Sequence, residues 1–150
     1  GALRYAATQN QIRTNTRDQT WEWGSFTYEW GGSYYATQPG TSRTDHFVNP
    51  VDVHDQAWIP AGARLSGFAH SHPLGGAGKG EHVIHNGKPY NYPDGMHTGD
   101  VSNEYDRFMR PGAEWVEAVS SPSGTLEFWR PGMSRPSIQP PISVPAYRRQ

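Results

Sequence analysis

Glycine and proline punctuate this sequence so densely that long helices have little room. Seventeen Gly and 13 Pro are spread over 150 residues, and both residue types end or bend regular structure. Short strands joined by turns are the expected outcome. The core must come from few side chains, because only 34% of residues are hydrophobic; six Trp, eight Tyr and five Phe supply much of the area that can be buried. A chain of this length is most simply one domain.

The clearest strand signal lies between Trp21 and Ala36. In Ser25-Phe26-Thr27-Tyr28-Glu29-Trp30, Phe26, Tyr28 and Trp30 take one face and Ser25, Thr27 and Glu29 the other, the period-2 pattern of a half-buried strand. Gly31-Gly32 allows a bulge or a tight turn, after which Ser33 to Thr37 resumes as a strand. On such a pattern Glu29 reads as a solvated edge residue.

A second stretch carries chemistry. Gly67-Phe68-Ala69-His70-Ser71-His72-Pro73 follows the strand start Ala63 to Ser66 and ends at Pro73, which has no N–H for a ladder. Residues two apart share a strand face, so His70 and His72 present two imidazoles side by side, with Phe68 on the same face. Two neutral imidazoles on a rigid strand form half of a zinc site. Two polar residues at a strand end are the plainer alternative.

The remaining pieces are short. Leu3, Tyr5, Ala6, Ala7 and Ile12 make one weak helical face, and Asn15 to Gln19 reads as a loop. His46 to Val48 and Val51 to Val53 read as extended pieces around Pro50, and Asp55 to Gly62 as a turn region. Leu74 to Met96 is long for a connection inside a small domain. It carries His82, His85 and a possible hairpin turn at Asn86-Gly87, and it reads either as an insertion without fixed structure or as a glycine-hinged lid. Val101, Tyr105, Phe108 and Met109 fall at helical spacing behind an N-cap at Asp100 or Thr98, and Pro111-Gly112 stops that helix. Glu114 to Val119 and Thr125 to Trp129 read as a hairpin. Beyond Pro131 the prolines mark an extended tail without a core of its own.

Charge narrows the partners. Thirteen basic against 14 acidic residues give a formal charge of −1, without the basic excess of an electrostatic nucleic-acid binder. No apolar run approaches membrane-spanning length. The first residues carry no signal-peptide-like apolar region, and Gly1-Ala2-Leu3 reads as a processing boundary. Cysteine is absent, so any zinc must be held by histidine and carboxylate.

The order of these segments resembles the JAMM/MPN metallopeptidases, and among them the JAB-like domains at the C-terminal ends of RHS-repeat and other polymorphic toxin proteins. The matching segments are Tyr28 to Gly32, Gly67 to Pro73, Thr98 to Val101 and Val119 to Leu126, spanning roughly residues 21–131. The resemblance implies an α+β, cytidine-deaminase-like fold: a central mixed or antiparallel sheet with flanking helices. It divides the chain into an N-terminal extension (1–18), a metallohydrolase domain (19–132) and a proline-rich tail (133–150). It implies zinc held by His70, His72 and Asp100, with Glu29 as general base. Where the family has an oxyanion-stabilising Ser, this chain has His97, so His97 or Thr98 takes that role. The implied activity is zinc-dependent hydrolysis of a peptide or isopeptide bond in a protein substrate. The implied setting is a bacterial toxin or effector, secreted or delivered into a target cell and opposed by a cognate inhibitor. Two alternatives are a metal-dependent nuclease using His82, His85, Asn86 and His97, and a non-catalytic binding module with a degenerate site.

Overall fold

The computed structural model describes residues 1–16, 21–73, 82–85, 88–91 and 114–146, and of 82–85 and 88–91 the backbone course. The alternating stretch forms β1 (Gly24–Trp30), which turns back at Gly31-Gly32 into β2 (Ser33–Ala36). Trp30 pairs with Ser33, and both glycines have positive φ, 60° and 81°. This is the two-residue hairpin turn whose backbone twist matches the twist of its strands. The histidine stretch forms β3 (Arg64–Ser71), antiparallel to β1.

On its other edge β3 runs parallel to β6 (Val116–Ser120). Next come β7 (Leu126–Trp129) and β8 (Ser137–Gln139), each antiparallel to its neighbour. The strand order is β2-β1-β3-β6-β7-β8. The molecule is therefore α+β, with a six-stranded mixed sheet and, among the described residues, two helices. Between β3 and β6, β4 (His82–His85) and β5 (Lys88–Asn91) pair as a separate two-stranded hairpin, as the Asn86-Gly87 turn signal predicts. The rest of the expected lid over Leu74 to Met96, and the helix expected over Val101 to Arg110, lie outside the described residues.

Each face of the sheet has its own packing layer. Helix α1 (Ala2–Thr16) covers one face, where Ala6 and Ala7 meet Ala69, Ala118, Leu126 and Ile142. Small side chains on both sides let helix and sheet approach closely. On the second face Phe26, Phe68 and Trp115 pack with Val48 and Val53, and the Phe26 and Phe68 rings meet edge to face at 4.9 Å between centroids.

Several sequence expectations need correction. Helix α1 runs to Thr16, past the point where a loop was expected, and its inner face is mostly polar: Asn10, Gln11, Thr14 and Asn15 are buried while Tyr5 is exposed. The apolar periodicity is weak because hydrogen bonds do much of the holding. Residues around Pro50 form α2 (Pro50–Gln56) and are not extended. Asn49 caps it by accepting from the Val51 amide, and proline at the first helical position is pre-set for the helix. The tail contributes β8 to the sheet and Ile142 to the core under α1, so neither terminal segment stands apart from the sheet.

At Gly67 the parallel strands leave no room for a side chain. A Cβ there would collide with the carbonyl oxygen of Val116 and crowd the Thr27 hydroxyl. That obstacle is backbone, which cannot swing away. Gly67→Ala is expected to destabilise the fold by about 1–3 kcal/mol, read as a lower midpoint in guanidinium unfolding. An unchanged midpoint would mean that β3 and β6 are not packed this closely.

Candidate functional site

The site grows out of the end of β3. Antiparallel register sets Phe68 opposite Phe26 and His70 opposite Gly24, and directly opposed residues share a face. Phe68, His70 and His72 therefore project on the second face, away from α1. Both imidazoles are 1% exposed. Their Nε2 atoms approach to 3.2 Å, with ring centroids 5.0 Å apart. At that separation the nitrogens either share a proton as N–H···N or offer two lone pairs to one cation.

Sequence makes room for this arrangement. A Cβ on Gly24 would run into the Phe68 ring, so the residue facing His70 has to be small. The ring beside it leaves His70 against an apolar wall, its centroid 6.1 Å from that of Phe68.

One carboxylate at this end was not singled out from the sequence. The Ser71 amide donates to the Trp23 carbonyl at 2.9 Å, extending the β1–β3 ladder past Gly24. Continued in the same register, the next pair would be Glu22 with His72. Trp23 lies on the α1 face, with the Arg13 guanidinium 5.1 Å above its ring. By alternation Glu22 lies on the opposite face, with the histidines, and it is only 3% exposed. Its backbone is fixed on both sides: its amide donates to the Thr44 carbonyl and its carbonyl accepts from Thr41 Oγ1. The signal was present in the sequence. Glu22 has the same parity as Phe26, the core parity, where an acid is out of place unless it has a task.

Two more buried acids occupy this face. Phe68 pairs with Glu117, and Val119, the partner of His70, pairs with Glu127. Each acid is 1% exposed, and Trp115 Nε1 donates to Glu117 Oε1 at 2.6 Å. Buried titratable groups concentrated on one face are a mark of functional sites.

Glu29, the expected general base, stands apart from this group. It pairs with Arg64 at the far end of β3, and its Oε2 accepts from Arg64 at 2.9 Å. It also shares the parity of Ser25, whose hydroxyl donates to Asn10 of α1. Glu29 is thus on the opposite face from His70 and at the opposite end of the strand. There it lines a cavity of about 870 Å³ together with Leu3, Thr27, Arg64, Val116 and Phe128. His97, Thr98 and Asp100 lie outside the described residues. So does Asn86, while His82 and His85 are placed only by the backbone of β4.

Comparison with protein-family models, with curated proteins and with solved structures found no match.

The histidine pair fits zinc as a half-site. Nitrogens about 2.05 Å from one tetrahedral metal stand about 3.3 Å apart, close to the 3.2 Å between the two Nε2 atoms. Among the described residues no group of three or more His, Asp or Glu converges on one point, so a third protein ligand has to come from elsewhere in the chain. The separation of the two carboxylates is directly testable. Glu22→Gln is expected to move the imidazole NMR signals of His70 and His72, whereas Glu29→Gln leaves them in place. Glu29→Gln should alter stability by no more than about 1 kcal/mol, as for other exposed ion pairs. Imidazole signals that respond to Glu29 and ignore Glu22 would reverse the assignment.

Proposed function

We propose that this chain is a zinc-dependent hydrolase of peptide or isopeptide bonds, of JAMM type, with His70 and His72 as two metal ligands and Asp100 as the third. Glu22 takes the general-base role that sequence motifs alone had placed on Glu29. The observation that carries the reading is the buried convergence of His70 Nε2 and His72 Nε2 at 3.2 Å on a central strand. A pair exposed on a loop would have no such fixed spacing.

Zinc at such a site supplies Lewis acidity, polarising the scissile carbonyl and making water a better nucleophile near neutral pH. The chain supplies the rest. His70 and His72 present neutral nitrogens from a strand hydrogen-bonded on both edges. Glu22 accepts a proton from the attacking water and delivers it to the leaving amine, so the C–N bond breaks without expelling an unstable amide anion. His97 or Thr98 donates to the developing oxyanion, the part implied by the resemblance. The apolar wall of Phe26, Phe68 and Trp115 keeps bulk water from one side of the histidines, which strengthens every charge interaction there.

Metal analysis of purified protein should find one zinc per chain, removed by a chelator and lost in His70→Ala or His72→Ala. Full zinc retention in His70→Ala would end the assignment of ligands. In a peptide or isopeptide cleavage assay, Glu22→Gln should lose about 10²-fold or more, the scale for a general base, while Glu29→Gln keeps wild-type turnover. Plasmid cleavage without amide cleavage would point to the nuclease alternative.

The toxin setting rests on the resemblance of the sequence segments. If it applies, expression of the active chain in bacteria slows growth and the double variant His70→Ala/His72→Ala does not. Equal growth of the two would remove the toxin setting and leave the hydrolase reading to the assays above.

A further inference from the structure

His72 carries half of the histidine pair, yet it sits beyond the last residue of β3 and immediately before Pro73. A residue at a strand end has free backbone groups and ordinarily frays. Here both are tied. The His72 amide donates to the Ser120 carbonyl at 2.9 Å. The His72 carbonyl accepts from Gln11 Nε2 at 3.2 Å. Those two partners are themselves joined, since Ser120 Oγ donates to Gln11 Oε1 at 2.9 Å. The three bonds form a closed circuit through His72, Ser120 and Gln11, and the two partners are 0% exposed.

We propose that Gln11 is a positioning residue for the histidine pair: from the opposite face of the sheet it fixes the His72 backbone and so sets the spacing of the two imidazoles. The inference rests on the zinc reading above and deepens it. Several facts favour it over plain structural support. Gln11 is saturated, because its second amide hydrogen goes to Asn15 Oδ1 at 2.8 Å; its orientation is therefore fixed from three sides. Its neighbour Asn10 does the same one step back, donating to the Ala69 carbonyl at 3.0 Å while accepting from Ser25 Oγ. The two amides of α1 thus grip the chain at Ala69 and His72, on either side of the His70-Ser71 pair. A leucine at position 11 could bury comparable volume against the sheet without meeting any of these polar groups. The residue found there matches the needs of the strand end and not those of helix packing.

The test compares Gln11→Leu with Ile142→Ala. The second thins the same core under α1 without touching the strand end, so it controls for general destabilisation. Zinc affinity by chelator competition should fall about 10–100-fold in Gln11→Leu, the range for partners that orient a metal ligand, and stay within twofold in Ile142→Ala. In metal-free protein the His72 imidazole signals should shift in Gln11→Leu and not in Ile142→Ala. Should Gln11→Leu fail to fold, Ser120→Ala opens the same circuit more gently and should show smaller losses in the same direction. Wild-type zinc affinity and imidazole signals in whichever of these variants folds, or equal losses in Ile142→Ala, would overturn the proposal. If the wild-type chain binds no zinc, the hydrolase reading falls, and the metal-free imidazole spectrum still decides for or against the clamp.

Discussion

The hydrogen bonding of β3 along both edges is what the other elements depend on. It is antiparallel to β1 on one side and parallel to β6 on the other, and residues 67–73, its second half and the two residues that follow it, are buried. A strand placed so can carry polar side chains only if each has a partner, because an unmet polar group in the interior costs about 1–3 kcal/mol. The two faces meet that requirement differently. On the α1 face Ser71 and Ser120 are matched by amides and hydroxyls of the helix. On the other face the polar residues are histidines and acids set among aromatic rings.

Helix α1 shows what this requirement does to a sequence. An ordinary surface helix buries an apolar stripe. This one buries Ala6 and Ala7 near its start and Asn10, Gln11, Thr14 and Asn15 thereafter. Asn15 Nδ2 donates to the carbonyls of Pro122 and Pro145, and Thr14 Oγ1 to that of Trp21. Each acceptor lies outside the regular strands, where the ladder has run out. The second half of the helix thus closes the ends of several chain segments at one side of the sheet, and its polar composition is the reason it can.

Much of the architecture was legible in the sequence. The Phe26-Tyr28-Trp30 alternation, the Gly31-Gly32 turn, the histidine strand, the Asn86-Gly87 hairpin and the β6–β7 hairpin all follow from local pattern, because each is set by residues close in sequence. Helix α2 was missed although Asn49-Pro50 is a capping signal; the run of Val and Asp around it looked extended. β8 was missed because a three-residue edge strand among prolines has no pattern of its own and depends on β7 being there. The placement of Glu29 was less legible, for a deeper reason. Motif order places a carboxylate on β1, but the face and the height along the strand are decided by register. Glu29 has the polar parity of its strand and sits opposite Arg64, while Glu22 has the parity of Phe26 and is buried.

The parallel pairing of β3 with β6 has a consequence in time. The chain leaves the sheet just after His72 and returns at Val116, so this pairing cannot form until a long segment has been closed. Closing entropy grows only logarithmically, about 0.6 kcal/mol per doubling of length, so the segment can change length with little effect on final stability. Its effect is on the sequence of folding events, since contacts between distant residues form slowly. The β1–β2 and β6–β7 hairpins need only neighbours. Ser120, by contrast, reaches His72 only when β6 docks on β3, so the bond that holds the His72 amide cannot precede that long-range pairing. Until then a nascent chain carries His72 without the Ser120 contact to its backbone.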